Sequence, residues 1–204
     1  MSLKLYERTD CPFCWKVRIA MSELNLGVEK YNSNLGEPHP EVLRLSPKKT
    51  VPVLLDGDYA IWESGVILEY LSDLRGDGTL FPEDPRGCAN VRLLHQYSDT
   101  VVGPALRGLV FERRSKAEAD WDLDLINQSE MSWDNCLEWL QQSLAGQEYF
   151  AGEFSAADCA LAARFGVAEA YSAGVDDRFP ELLQWFDRMK HKRSWGESYP
   201  SSFI

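Results

Sequence analysis

The stretch Leu3-Lys4-Leu5-Tyr6-Glu7-Arg8-Thr9-Asp10-Cys11-Pro12-Phe13-Cys14 decides the fold. Leu3 to Tyr6 is a short strand candidate, and Thr9-Asp10 breaks it. Beyond Pro12 the apolar residues fall at Phe13, Val17, Ala20, Met21 and Leu24, the spacing of one helical face, and Gly27 is expected to close that helix. Two cysteines three apart therefore stand where a strand hands over to a helix. A cysteine at a helix N-terminus faces unpaired backbone N–H groups and the positive end of the macrodipole, and both favour thiolate over thiol. Pro12 suits the first turn, where its missing N–H is not needed. Cys14 lies one turn inward, close enough to attack a mixed disulfide formed on Cys11. The pair supplies a nucleophile and a resolving thiol.

Two plainer readings compete with this one. A zinc half-site needs further ligands, and Cys88, Cys136, Cys159, His39, His95 and His191 form no second pair at ligand spacing. Inert structural thiols are the other alternative. A CxxC beside a βαβ pattern is the redox arrangement of a cytosolic chain, and redox or thiol chemistry is the better reading.

Outward from this stretch, Val28 to Tyr31 reads as a second strand, and the region of Pro38 and Pro40 opens a short helix through Leu45. Val51 to Leu55, Asp56-Gly57-Asp58 and Tyr59 to Ile61 read as a hairpin, because Asp-Gly supplies the positive backbone angles of a tight turn. A helix from Glu63 places Val66, Ile67, Tyr70, Leu71 and Leu74 on one face. The order is βαβαββα over residues 1–76. Residues 77–85 carry Gly, Asp and Pro with little periodicity and read as a linker. Residues 86–204 read as helical, with helices over about 86–116, 120–144, 156–173 and 180–191. The sharpest start signal is Ser155-Ala156-Ala157-Asp158, a capping box with Phe154 in front of it. The fold expected is a small α/β domain joined to an all-helical one.

Composition narrows the function. The 204 residues carry 21 Lys plus Arg against 32 Asp plus Glu, a formal net charge of −11, which argues against nucleic acid as a partner. A content of 45% hydrophobic and 12% aromatic residues suffices for a sizeable core. No run approaches the roughly 18 apolar residues of a membrane-spanning helix, and the start has no apolar signal-peptide core, so a cytoplasmic protein is expected. Five cysteines at irregular positions do not form a secreted disulfide framework.

Two more segments hold candidate site residues. In Thr50-Val51-Pro52-Val53 a proline begins a strand. A cis bond there would turn the Val51 backbone outward, where its N–H and C=O can pair with an extended peptide-like ligand; a trans proline at a strand edge is the alternative. In Glu63-Ser64 a helix start offers a hydroxyl and backbone N–H groups to a carboxylate, while Glu63 can hold an ammonium group; plain N-capping is the alternative.

In this order and spacing the residues resemble the cytosolic glutathione transferase superfamily over nearly the full length. The matching pieces are Cys11 to Cys14, Ser46-Pro47 with Val51-Pro52-Val53-Leu54, Glu63 to Leu71, Leu80 to Pro85, and Phe154 to Asp158. The resemblance implies a thioredoxin-like N-terminal domain, an all-helical C-terminal domain, and a homodimer. It makes glutathione the co-substrate, with no metal. It makes Val51 the backbone partner of the glutathione cysteinyl unit, with Pro52 cis. Glu63 and Ser64 would take the γ-glutamyl ammonium and carboxylate, Lys49 the glycyl carboxylate, and Phe13 joins the binding set. In having Cys11 at the helix start, where other members carry a Tyr or Ser hydroxyl, the chain is similar to the omega-class transferases and two-domain glutaredoxins. Cys11 and Cys14 are then catalytic in glutathione-dependent thiol transfer or disulfide reduction, and Tyr6 is a packing residue. The implied alternatives are conjugation of glutathione to an electrophile, with Tyr97, Val101, Leu106 and Phe111 lining an apolar pocket, and a non-catalytic interaction module of the stringent starvation protein type.

Overall fold

In the computed structural model, which describes residues 2–203, strand β1 (Leu3–Glu7) turns through Arg8–Asp10 into helix α1 (Pro12–Glu23). Strand β2 (Val28–Asn32) returns parallel to β1, so the first three elements are a βαβ unit. Helix α2 (Pro40–Leu45) follows, then the antiparallel pair β3 (Val53–Asp56) and β4 (Tyr59–Trp62), then helix α3 (Ser64–Arg75). The sheet order is β2-β1-β3-β4. This is the expected βαβαββα thioredoxin-like arrangement. The hairpin loop is Gly57-Asp58, with Gly57 at φ 63 taking the left-handed position. Gly27 does not close α1. Asn25 takes the left-handed position at φ 53, and the Leu26 N–H returns to the Met21 carbonyl at 2.9 Å, as in a Schellman end.

By packing, the described chain divides into two compact units, residues 2–83 with 191–203, and Asp84–Lys190. Residues after His191 were expected within the helical domain. Here helix α9 (Arg193–Ser198) packs on α1 of the first unit. The reason is visible on α1, where every residue from Cys14 to Met21 is buried. A helix apolar on one face cannot achieve that alone, and the aromatic tail covers the other. The Trp15 ring meets Trp195 at 4.7 Å, Tyr199 at 5.4 Å and Phe203 at 6.0 Å, and its Nε1 donates to Ser198 Oγ at 3.1 Å. Burying a ring of this size is worth about 1.5–3 kcal/mol, and each aromatic pair adds about 0.5–1.5.

The second unit is helical. Helices α4 (Pro85–Tyr97) and α5 (Gly103–Ser115) form the run expected over 86–116, but Ser98–Val102 between them is π-helical. Pro104 explains the change of register, because it offers no N–H to the Thr100 carbonyl and its ring would crowd that oxygen. The inserted turn rotates the helix faces, so Tyr97, Val101, Leu106 and Phe111 do not share an environment. Leu106 is buried, while Val101 and Phe111 are 41% and 48% exposed. Helix α6 (Leu123–Leu144) packs on α5, so closely that a β-carbon on Gly108 would lie 2.3 Å from Ser129 Oγ. Among the described residues, no helix is long and apolar enough to cross a membrane.

Helix α7 (Ala156–Ala170) is buried from Ala156 through Ala168 and packs on α4, α5 and α8 (Pro180–Lys190). Its alanines let neighbours approach from all sides. Its capping box forms as expected. Asp158, wholly buried, accepts from the N–H groups of Phe150 (3.2 Å) and Ser155 (2.9 Å), from Ser155 Oγ (3.0 Å) and from Trp185 Nε1 (2.9 Å). Four donors converge on one carboxylate, and removing it leaves them unpaired in the core. Asp158→Ala should therefore cost about 3–5 kcal/mol in urea unfolding. A loss below about 1 kcal/mol would show that water replaces the carboxylate.

Candidate active site

Strand register brings the expected site residues to one end of the sheet. Tyr6 of β1 pairs with Val53 of β3, and Val53 with Trp62 of β4. The chain leaving β1 toward Cys11, the chain entering β3 through Val51-Pro52, and the chain leaving β4 through Glu63-Ser64 therefore all lie beyond the same edge. The Val51–Pro52 bond is cis, Pro52 is buried, and Val51 packs on the cluster of Tyr6, Val42, Val53 and Leu55. Tyr6 is a packing residue, stacked on Tyr31 at 5.0 Å and beside His39 at 4.8 Å. His39 itself caps α2, its Nδ1 accepting from the Glu41 N–H at 3.1 Å.

Cys11 is the N-cap of α1, in extended conformation, and its carbonyl accepts the first helical bonds from Cys14 (3.0 Å) and Trp15 (2.8 Å). Its thiol is pulled down to about 6. The largest cause is a hydrogen bond from the Cys14 thiol; burial opposes it, and the Cys14 N–H, the Arg8 charge and the Phe13 N–H assist. Cys14, fully buried, is pushed well above the usual thiol range by burial and by the same bond to Cys11. The two sulfurs are made unequal by one contact. Phe13 lies partly exposed beside them, with Lys16 Nζ 5.2 Å from its ring centre. Arg8 is held at 2.5 Å by Asp10.

At the third segment, Glu63 is the single residue between β4 and α3. With no loop to absorb the change of direction, it adopts φ 70 and ψ 116, outside the regions usual for a side-chain-bearing residue. Such a backbone costs on the order of 1–3 kcal/mol. Ser64, buried, opens the helix. Lys49 also has a positive φ, 55, in the loop that follows α2. Lys48, rather than Lys49, reaches Glu63, its Nζ 2.9 Å from Oε1. Neither the backbone strain nor this pair was foreseen from sequence. The only available signal was the absence of any spacer between the strand ending at Trp62 and the helix. Among the described residues, no group of His, Cys, Asp and Glu is clustered as a metal site would be.

Fold and site together define a thioredoxin-type thiol unit followed by a helical unit. Comparison with known proteins gives the family of the two domains. The model of the glutathione S-transferase N-terminal domain matches residues 5–79, and that of the glutathione S-transferase C-terminal domain matches residues 124–188. Glutathione S-transferase D6 of Drosophila melanogaster is 28% identical over 190 residues, spanning 88% of this chain and 85% of its own. Among solved structures, FzlA from C. crescentus superposes with a TM-score of 0.88 at 24% identity, over 96% of this chain and 90% of its own. A glutathione S-transferase from Methylobacillus flagellatus KT, solved with glutathione bound, gives 0.84 at 26% identity, over 98% and 100%. The chain belongs to the glutathione S-transferase superfamily of enzymes.

The thiol geometry sets a pH signature. Alkylation of Cys11 by iodoacetamide should rise through a midpoint near pH 6. In Cys14→Ala the donor is gone, and the midpoint should move up toward the ordinary thiol value of about 8.5. An unmoved midpoint would show that the helix start alone lowers the thiol.

Proposed function

We propose that the protein is a cysteine-type glutathione-dependent thiol transferase, acting on glutathione mixed disulfides of small molecules or proteins. The observation that carries this is Cys11, a helix-capping thiol held near 6 with Cys14 as its donor. At neutral pH it is largely thiolate, and a thiolate is what attacks a disulfide.

In the reaction, the Cys11 thiolate attacks the glutathione sulfur of the mixed disulfide. The substrate sulfur leaves as thiolate and takes a proton from water, and Cys11 is left bonded to glutathione. A second glutathione thiolate then displaces Cys11 and forms oxidised glutathione. Alternatively Cys14 attacks, releases glutathione, and leaves a Cys11–Cys14 disulfide for glutathione to reduce.

The same reading assigns the binding residues. Val51 presents its backbone to the cysteinyl unit beside cis Pro52, Ser64 and the start of α3 take the γ-glutamyl carboxylate, and Glu63 takes the ammonium. Lys48 and Glu63 are 62% and 42% exposed, so their pair is worth at most about 1 kcal/mol, and an incoming ammonium can replace the lysine at little cost. Lys48 is then released beside Lys49 for the glycyl carboxylate, and Phe13 flanks the thiols. Among the described residues no cysteine is in a disulfide, which fits the reducing cytoplasm. The homodimer belongs to this proposal too. Tyr59, Trp62 and Val66 on β4 and α3 are exposed apolar groups that a second copy would cover.

Cys11→Ser should abolish reduction of a small glutathione mixed disulfide while retention on immobilised glutathione persists. Undiminished reduction, or robust conjugation of an aromatic halide by that variant, would overturn the assignment. Glu63→Gln should weaken retention on immobilised glutathione by about tenfold, the loss of one charge-assisted contact. Unchanged retention would remove Glu63 from the binding set.

A further inference from the structure

Glu7 and Arg18 lie outside the residues assigned above, yet both are buried, on the strand and the helix that flank the thiols. Glu7 ends β1 with 1% of its surface exposed, and Arg18, on the second turn of α1 after Cys14, has 5%. Their carboxylate and guanidinium are in direct contact through NH1 and Oε2. Three more of the guanidinium donors are used. NH2 donates to the Thr9 carbonyl at 2.7 Å, and Nε and NH2 both donate to the Ser198 carbonyl, at 3.1 and 3.0 Å. One planar fork therefore joins the end of β1, the turn that leads into Cys11, and the last residue of α9.

We infer that Arg18 is a positioning residue for the Cys11–Cys14 centre, holding the turn that carries Cys11 and cancelling the charge of Glu7 beside Cys14. This inference rests on Cys11 being the nucleophile of the proposed function. Of the charged side chains, Arg8, from the turn, acts on Cys11, and Glu7, from β1, acts on Cys14. Arg8 carries Asp10. Lys16, on α1, lies over Phe13. The ion pairs of α9 sit at the other end of α1: Lys192 meets Glu23 at 3.2 Å, and Arg193 meets Glu197 at 3.6 Å. Glu7 is thus the carboxylate that opposes ionisation of Cys14, the donor to Cys11, and Arg18 is the cation in contact with it. A lysine could supply the charge but not the fork, since one ammonium cannot bind Glu7 and two carbonyls in that planar geometry.

The test is the pH profile of iodoacetamide alkylation, with the thiolate absorbance near 240 nm as a second reading, both reporting the first apparent pKa of the dithiol. Arg18→Met should raise that midpoint by about one unit, because Glu7 is left uncompensated. Glu7→Gln should lower it, because the carboxylate charge beside Cys14 is removed while the Arg18 charge remains. The double variant should return close to the parent, and Arg18→Lys should keep the midpoint while slowing disulfide reduction. An unmoved profile in Arg18→Met, or shifts of the same sign in Arg18→Met and Glu7→Gln, would overturn the inference. If Arg18→Met does not fold, Glu7→Gln against the double variant decides it: a higher midpoint in the double variant is expected, and equal midpoints overturn it. Alkylation needs no glutathione, so variants that titrate as described but reduce no mixed disulfide would sink the proposed function and leave this inference standing.

Discussion

A carboxylate taken out of water must find its hydrogen bonds inside the protein, and each unit is arranged around one that has. In the first it is Glu7, paired with Arg18 and through it tied to Thr9 and Ser198. In the second it is Asp158, which accepts from two backbone N–H groups, a hydroxyl and an indole. An unpaired ion in either place would cost several kcal/mol, more than either unit could spare from its total stability. The cost is met by drawing in segments far apart in sequence. Ser198 is 180 residues from Arg18, and Trp185 is 27 from Asp158. These carboxylates specify which segments meet, where apolar burial alone would accept several packings.

That distinction also marks what could be read from sequence. Strands, helices and the capping box are local: periodicity, Asp-Gly and Ser-x-x-Asp announce them within a few residues, and they appear where expected. Cys11 at the helix cap was equally legible, because strand, break, Pro12 and helical spacing are contiguous. The tail was not. Arg193 to Phe203 carries apolar and polar residues in no strong period, and its place on α1 follows from Trp15 needing cover, a fact about three-dimensional burial. The π-helical turn before Pro104 was missed for a related reason. Proline signals a broken bond, but the sequence does not say whether the helix kinks, ends or shifts register.

The backbone at Glu63 is the plainest case of a site feature set by connectivity. A strand that passes into a helix through one residue needs a sharp reversal there, and the neighbours hold it. Trp62 is fixed in the ladder to Val53, and Ile67, Leu68 and Leu71 are buried along α3. The strain is carried by the residue whose side chain pairs with Lys48, at a helix start whose N-cap side chain makes no capping hydrogen bond. Substrate binding on the proposed scheme then requires no backbone movement at this corner, only exchange of one exposed ammonium for another.

The inequality of the two sulfurs has a consequence for their order of action. Cys14 is held high by burial and by its bond to Cys11, so at neutral pH it stays a thiol and donates. A thiol that donates to the nucleophile cannot compete with it, and the first attack falls to Cys11. Once Cys11 is bonded to glutathione, it carries no negative charge and no longer accepts strongly. One cause of the raised Cys14 value is then gone, while burial remains. Cys14 thus becomes more acidic only after Cys11 has reacted, and how far burial alone still holds it up decides between resolution by Cys14 and resolution by a second glutathione. On this geometry the choice lies in the solvation of Cys14 within α1, and residues that admit or exclude water there set it.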